Sequence, residues 1–215
     1  MTDSPPEKIF NAPAVAIVVA ASMPVLYLLQ ARAGWSDAVL ALAFEPASLR
    51  DGGWWPGLLT SMFLHIGWAH VAMNAVGAIA FGPPVARLFP GLRGAFAFLL
   101  FYMACGVAGA LGFGLVRLGS HDLAVGASGA VFGLMGAAIR LLGRRDGRLR
   151  PLTDRRVLTV SAVLMAVNAG AGLIGLAPGM EGALVAWEAH AFGYLAGLLL
   201  IGPWTRLWGR SPRTI

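Results

Sequence analysis

Six stretches of this chain are apolar over a length that suits a bilayer or nearly so: residues 12–31, 68–88, 95–116, 128–142, 157–176 and 182–204. A helix needs about 20 mostly apolar residues to cross the hydrocarbon core. Membrane strands would instead show segments of about 10 residues alternating apolar with polar, and these runs do not alternate. The pattern therefore predicts helices. The first stretch resembles a secretory signal, because Ala31-Arg32-Ala33 imitates a cleavage site. Its apolar region is too long for one, and only Lys8 stands against Asp3 and Glu7 ahead of it. An uncleaved anchor is expected.

Composition sharpens this reading. Of the 215 residues, 58% are hydrophobic and 12% charged, and mean hydropathy is +0.73. A soluble domain carries about 25% charged residues, so this chain could not cover its surface in water. Disordered chains are poor in apolar residues and are excluded by the same figures. The expected fold is an all-α membrane protein, a bundle of six spanning helices. The single cysteine, Cys105, rules out an internal disulfide and a cysteine-based metal site.

The net charge of +6 would suit nucleic acid, but the placement of the arginines points to topology. Arg144, Arg145, Arg148, Arg150, Arg155 and Arg156 crowd the link between spans four and five. Arg87 and Arg93 flank the link between spans two and three, and Arg206, Arg210 and Arg213 follow span six. With six alternating spans these all fall on one side, together with Lys8. The other side holds chiefly Arg32, Arg50 and Arg117. Basic links stay in the cytoplasm, so both termini are expected there, as a tail over residues 1–11, a membrane domain over 12–206 and a second tail over 207–215. Trp35, Trp54, Trp55, Trp68, Trp204 and Trp208 lie near the expected boundaries, as an aromatic belt does. One outer link, from residue 32 to 67, is long and rich in aromatics. It is expected to lie partly in the outer leaflet as short amphipathic pieces.

Polar residues within spans are costly and mark function by default. Those that stand out are His70 and Asn74 on span two, Ser128 opening span four, and Glu188 and His190 on span six. Ser128 lies 16 residues before Arg144, His190 lies 16 before Arg206, and His70 lies 17 before Arg87. All three spans run inward in the assigned topology. At about 1.5 Å per residue, the three side chains share a level roughly 24–26 Å above the basic boundary. Span four is also too short to reach the outer surface. Gly126 and the loop ahead of it must descend to meet it, which irregular backbone does only where protein or water surrounds it. Ser128 would then open a helix whose free N–H groups favour an anion.

A serine hydroxyl needs a base to become a nucleophile, and His190 on a neighbouring helix can serve. Gly129 and Gly133 in span four, and Gly193 and Gly197 in span six, have the small-residue spacing that lets membrane helices meet at the backbone. His70 and Asn74, one turn apart, face one way. With the Ser128 amide they could donate to an oxyanion. Glu188 is turned about 200° around the helix from the serine-facing side, so the expected constellation is a Ser128–His190 dyad with no third member.

These residues resemble the rhomboid intramembrane serine proteases. His65-Ile-Gly-Trp-Ala-His70-Val-Ala-Met-Asn74 is similar to the family's H-x4-H-x3-N on its second span. Gly126-Ala-Ser128-Gly129 is similar to the G-x-S-G opening its fourth. Ala189-His190-Ala-Phe-Gly193-Tyr-Leu-Ala-Gly197 is similar to the A-H-x-x-G-x-x-x-G on its sixth. The resemblance covers roughly residues 35–205. It implies a six-helix bundle with Ser128 as nucleophile, His190 as base, and an oxyanion site of His70, Asn74 and the Ser128 amide. It implies a half-submerged first outer loop, and access for substrate past helix five and the loop around 178–182. The implied function is cleavage of transmembrane proteins near the outer membrane face, with no cofactor. Two positions depart from the family pattern. Trp54-Trp55-Pro56 carries no arginine where the family often has a Trp-Arg pair, and Ala86 stands where it often has a glutamate.

Other functions compete. A catalytically silent relative that binds membrane helices for quality control has no chemical need for both Ser128 and His190. A small transporter would show repeated halves and charged midplane residues, and no clear repeat is present. A metal site built from His65, His70 and His190 lacks a supporting carboxylate. His65 is expected to be structural, His121 a solvated loop histidine and Cys105 a packing residue. The partners expected are transmembrane substrates and lipid, not nucleic acid. The excess of arginine over lysine, with abundant Ala and Gly, suggests a GC-rich bacterial genome and hence the cytoplasmic membrane.

Overall fold

The computed structural model describes residues 12–53, 55–143, 148–175 and 186–209. Expectations resting on Lys8, Trp54, Arg144, Arg145, Arg210, Arg213 and the loop around 178–182 lie outside the described residues. The described chain is helical. Helix α1 spans Ala14–Ala33; it follows Pro13 and stops at Gly34, whose φ of 91° no other residue type adopts readily. Four short pieces follow: α2 (Trp35–Leu42), α3 (Ser48–Asp51), α4 (Gly57–Thr60) and a 3-10 turn at Ser61–Phe63. Then come α5 (Trp68–Ala86), α6 (Gly91–Val116), α7 (Ser128–Ile139), α8 (Arg155–Leu173) and α9 (Trp187–Trp208).

Among the described residues, α1, α5, α6 and α8 are long and apolar enough to cross a bilayer. Helix α7 is apolar but has only 12 residues, about 18 Å of rise. It ends three residues before the expected limit at Leu142. The chain there tightens into i to i+3 bonds, from the amides of Arg140, Leu141 and Leu142 to the carbonyls of Ala137, Ala138 and Ile139. The Arg140 side chain is turned inward, its Nε donating to the Arg150 carbonyl at 2.9 Å and its Nη1 to the Leu198 carbonyl at 3.2 Å. Helix α9 has the length to span, at 22 residues, but Glu188, His190 and Arg206 dilute its apolar character. It also continues four residues past the expected end of the sixth span at Trp204.

Helix α7 is central. Nine of its 12 residues are buried, on every side of the helix, and it packs against α5, α6 and α9. Its contact with α9 is backbone to backbone. A Cβ at Gly193 would run into the Gly129 carbonyl, and one at Gly197 into the Gly133 carbonyl. The small-residue spacing in both helices thus serves close approach. Fully buried Phe98, Phe101, Cys105, Leu134 and Ile201 fill the rest of the core. Ile17, Val18, Val25, Leu28, Val76, Ile79, Leu158, Val163 and Val167 stay exposed on the outer helices. In water such an apolar exterior would aggregate; against lipid it costs nothing. The chain is an integral membrane protein.

The segment between α1 and α5 grips the loop ahead of α7. Phe44, fully buried, pairs with Ala124 in an antiparallel bridge, with N–H···O distances of 3.1 and 2.8 Å. The Ala47 amide donates to the Ser120 carbonyl, and the Gly126 amide to the Ser61 carbonyl, each at 2.9 Å. From the other side, the Gln30 amide group clamps the His65 main chain, donating to its carbonyl at 2.9 Å and accepting from its N–H at 3.0 Å. Both residues are buried, so α1 supplies the partners that this turn of backbone needs away from water.

Candidate active site

The loop before α7 turns into the helix at Gly126, and only that residue's conformation lets it do so beside His70. The φ of Gly126 is 124°, and a Cβ there would come within 2.5 Å of Cε1 and 2.7 Å of Nε2 of His70. Only glycine allows the turn and the imidazole to share this space. The loop delivers Ser128 as the first residue of α7, a helix start that no side chain caps. Its leading N–H groups, which by helix geometry have no intrahelical acceptor, gain none from a cap.

The α7–α9 backbone contact then brings serine and histidine together. His190 Nε2 lies 2.8 Å from Ser128 Oγ, within the reach a base needs to take a hydroxyl proton. One turn along α7, Phe132 stacks on the His190 ring, with centroids 4.3 Å apart and planes 7° from parallel. Helix α7 thus presents the hydroxyl and also supports the ring that would deprotonate it.

The other ring nitrogen of His190 is occupied too. Nδ1 lies 2.9 Å from Oδ1 of Asn168, a residue on α8 that is 8% exposed. The Asn168 amide nitrogen donates to the Trp187 carbonyl at 2.9 Å. Sequence reasoning sought a carboxylate partner for His190 and passed over this amide. The signal was present, since Asn168 is an amide within an apolar span, the kind of residue that marks function in a membrane.

Glu188 points elsewhere, as its helical phase requires. It forms a partly buried ion pair with Arg117 at 2.9 Å, and Arg117 also reaches Asp122 at 3.3 Å. This pairing joins the start of α9 to the end of α6. His121 is exposed and lies 2.6 Å from Glu45, while Cys105 is fully buried.

His70 and Asn74 are both buried, at 5% and 4% exposure, on one face of α5. His70 Nδ1 and Asn74 Nδ2 have no hydrogen-bond partner among the described residues. Two buried polar nitrogens left without partners are costly for a fold alone. His65 meets His70 edge to face, with centroids 5.2 Å apart. Among the described residues no group of three metal-ligating side chains converges.

A family model described as the Rhomboid domain matches residues 51–206. The chain is 31% identical over 160 residues to the rhomboid protease GluP of Bacillus subtilis, covering 73% of this chain and 29% of that one. It is 29% identical over 169 residues to YdcA of the same bacterium, covering 77% of this chain and 73% of the other. To the chloroplastic rhomboid-like protein 11 of Arabidopsis thaliana it is 33% identical over 151 residues, 68% of this chain and 51% of that one. The chain thus spans under a third of GluP and about half of the plant protein. The matched region holds α5 through α9 almost entire, with every residue of the serine–histidine site on it, and by that match the chain belongs to the rhomboid family.

Proposed function

We propose that this chain is an intramembrane serine endopeptidase that cuts transmembrane substrates near the outer membrane face through Ser128 and His190. The observation that carries the reading is the 2.8 Å approach of His190 Nε2 to Ser128 Oγ. In the proposed reaction Ser128 Oγ attacks the scissile carbonyl carbon as its proton passes to His190 Nε2. The carbonyl π pair moves onto oxygen. Collapse of that oxyanion expels the amine, which takes the proton from His190. Water then attacks the acyl ester, giving its proton to His190, and the proton returns to Ser128 Oγ as the acid leaves.

The oxyanion would be received by His70, Asn74 and the Ser128 amide. The unpartnered nitrogens on α5 and the uncapped start of α7 support this assignment. Donors already in position stabilise developing charge without reorganising at the moment of reaction. Gly126, Gly129, Gly193 and Gly197 would serve by allowing the approach of helices and loop.

In this reading α7 and α9 join the four long apolar helices as the fourth and sixth spans, and the segment from 34 to 67 lies partly in the outer leaflet. Substrate would reach the serine past α8, and both termini would lie on the cytoplasmic side of a bacterial cytoplasmic membrane. The test is cleavage of a model single-span substrate by purified protein in detergent. Ser128→Ala and His190→Ala should each lose at least about 10³-fold, some 4 kcal/mol of barrier. A well-folded variant of either kind keeping a tenth of the activity would overturn the dyad. A folded wild type that binds membrane helices without cutting them, and whose Ser128 no fluorophosphonate labels, would leave a binding role instead.

A further inference from the structure

The hydrogen bonds around Asn168 run in a fixed direction, and that direction reaches the reactive oxygen. The Trp187 carbonyl can only accept. The group facing it at 2.9 Å must therefore be the NH2 of Asn168, which turns the amide oxygen toward His190. That oxygen can also only accept, so His190 Nδ1, 2.9 Å away, carries the hydrogen. A neutral imidazole protonated on Nδ1 has its free lone pair on Nε2, the atom 2.8 Å from Ser128 Oγ. A backbone carbonyl at the start of α9 thus sets, through one amide, which nitrogen is basic.

We propose that Asn168 is the positioning residue of this site: from α8 it holds His190 as the Nδ1–H tautomer and fixes the rotation of its ring. The proposal rests on the serine protease reading and deepens it. It also assigns α8 a part in the chemistry. Only Val157 and Asn168 are buried on that helix, and Asn168 hydrogen-bonds the base from it. Any shift of α8 relative to α9 acts directly on the orientation of His190.

Two variants, compared with the unmodified protein, separate this role from a plain tether of α8 to α9. Asn168→Leu keeps the approximate volume and loses both bonds. Asn168→Asp, when ionised, keeps an acceptor for Nδ1–H but has no hydrogen to give the Trp187 carbonyl. The rate of Ser128 labelling by a fluorophosphonate, and kcat and KM on the model substrate, are measured on folded protein of each. Asn168→Leu should lose roughly 10–10²-fold in labelling and kcat, with KM changed less than threefold, as a misaligned base costs. Asn168→Asp should recover most of that loss. Equal losses in both variants, or no loss in Asn168→Leu, overturn the proposal. Nitrogen-15 histidine spectra of the unmodified protein above pH 7 give a reading that depends on no variant folding. His190 should show the Nδ1–H pattern, and an Nε2–H pattern overturns the proposal. Wild-type protein whose serine is unreactive defeats the protease reading itself, whereas a reactive serine indifferent to Asn168 defeats only this inference.

Discussion

Phe132 lies face to face with His190, its ring centroid 4.3 Å from that of the imidazole. Because Phe132 follows Ser128 by one helical turn, a single helix holds the hydroxyl and one flank of the base in register. Flat stacking fixes the tilt of the imidazole, while the contacts at its two nitrogens fix its rotation. Phe132→Leu should keep the apolar volume but free the tilt. We expect kcat to fall about 10- to 10²-fold, with melting changed little. Phe132→Tyr, which keeps the stack, should stay within a few-fold of wild type. Equal activity in the leucine and wild-type proteins would show that the ring is held by its nitrogen contacts alone.

His70→Ala and Asn74→Ala distinguish oxyanion binding from helix packing. Interactions that strengthen only as charge develops act on kcat rather than on KM. Each substitution should lower kcat by about 10²–10³-fold, less than loss of the nucleophile. If Asn74 instead only joins α5 to a neighbour, its alanine variant will melt lower while the folded fraction cleaves normally. Melting and kcat read on the same samples decide.

Gly197 has no room for a side chain. Its Cβ would overlap the Gly133 carbonyl across the α7–α9 contact. Alanine normally favours a helix over glycine, by about 1 kcal/mol. Here Gly197→Ala should destabilise by about 1–3 kcal/mol, as overpacking does, and reduce Ser128 labelling as well, because the two helices cannot separate without parting Ser128 from His190. A Gly197→Ala protein that melts at or above the wild-type temperature would refute the backbone contact.

Asp154 anchors the other end of α8. Its carboxylate accepts from Arg150 Nη1 and the Arg156 amide, each at 2.9 Å, and from the Val157 amide at 3.4 Å. The bond from Arg150, helped by those two amides, holds its pKa below the usual carboxylate value. Its stabilisation is therefore complete above the unfolded-state value of about 4 and fades as pH falls through the lower folded value. Asp154→Ala should melt below wild type at pH 7, and the gap should close as pH is lowered through 4 toward 3. A gap that persists unchanged at pH 3 would assign the loss to something other than the carboxylate.

Much of the site was legible because its physics is local or repeats along the chain. Counting residues to the basic boundary puts Ser128 and His190 at one depth, and the structure joins them at 2.8 Å. That count treats α7 as a helix running to Arg144, yet the helix stops at Ile139. The serine and histidine meet at the other end of that helix, so its early stop does not bear on their contact. The phase of Glu188, turned from the site toward Arg117, was equally legible, since helical geometry sets it.

The apolar runs, the cost of each polar residue within them and the spacing of small residues are properties of the chain itself, so the sequence determined an all-helical membrane protein with a serine and a histidine at one level. Which polar groups meet depends on how far one helix slides and turns against another, and no pattern along the chain encodes that offset. Asn168 reaches His190 only because α8 leans on α9 at that height, 22 residues away in sequence. Gln30 finds the His65 backbone across 35 residues for the same reason. Those bonds belong to the packing of finished helices, where a shift of a few ångströms exchanges one partner for another, and tertiary structure alone decided them.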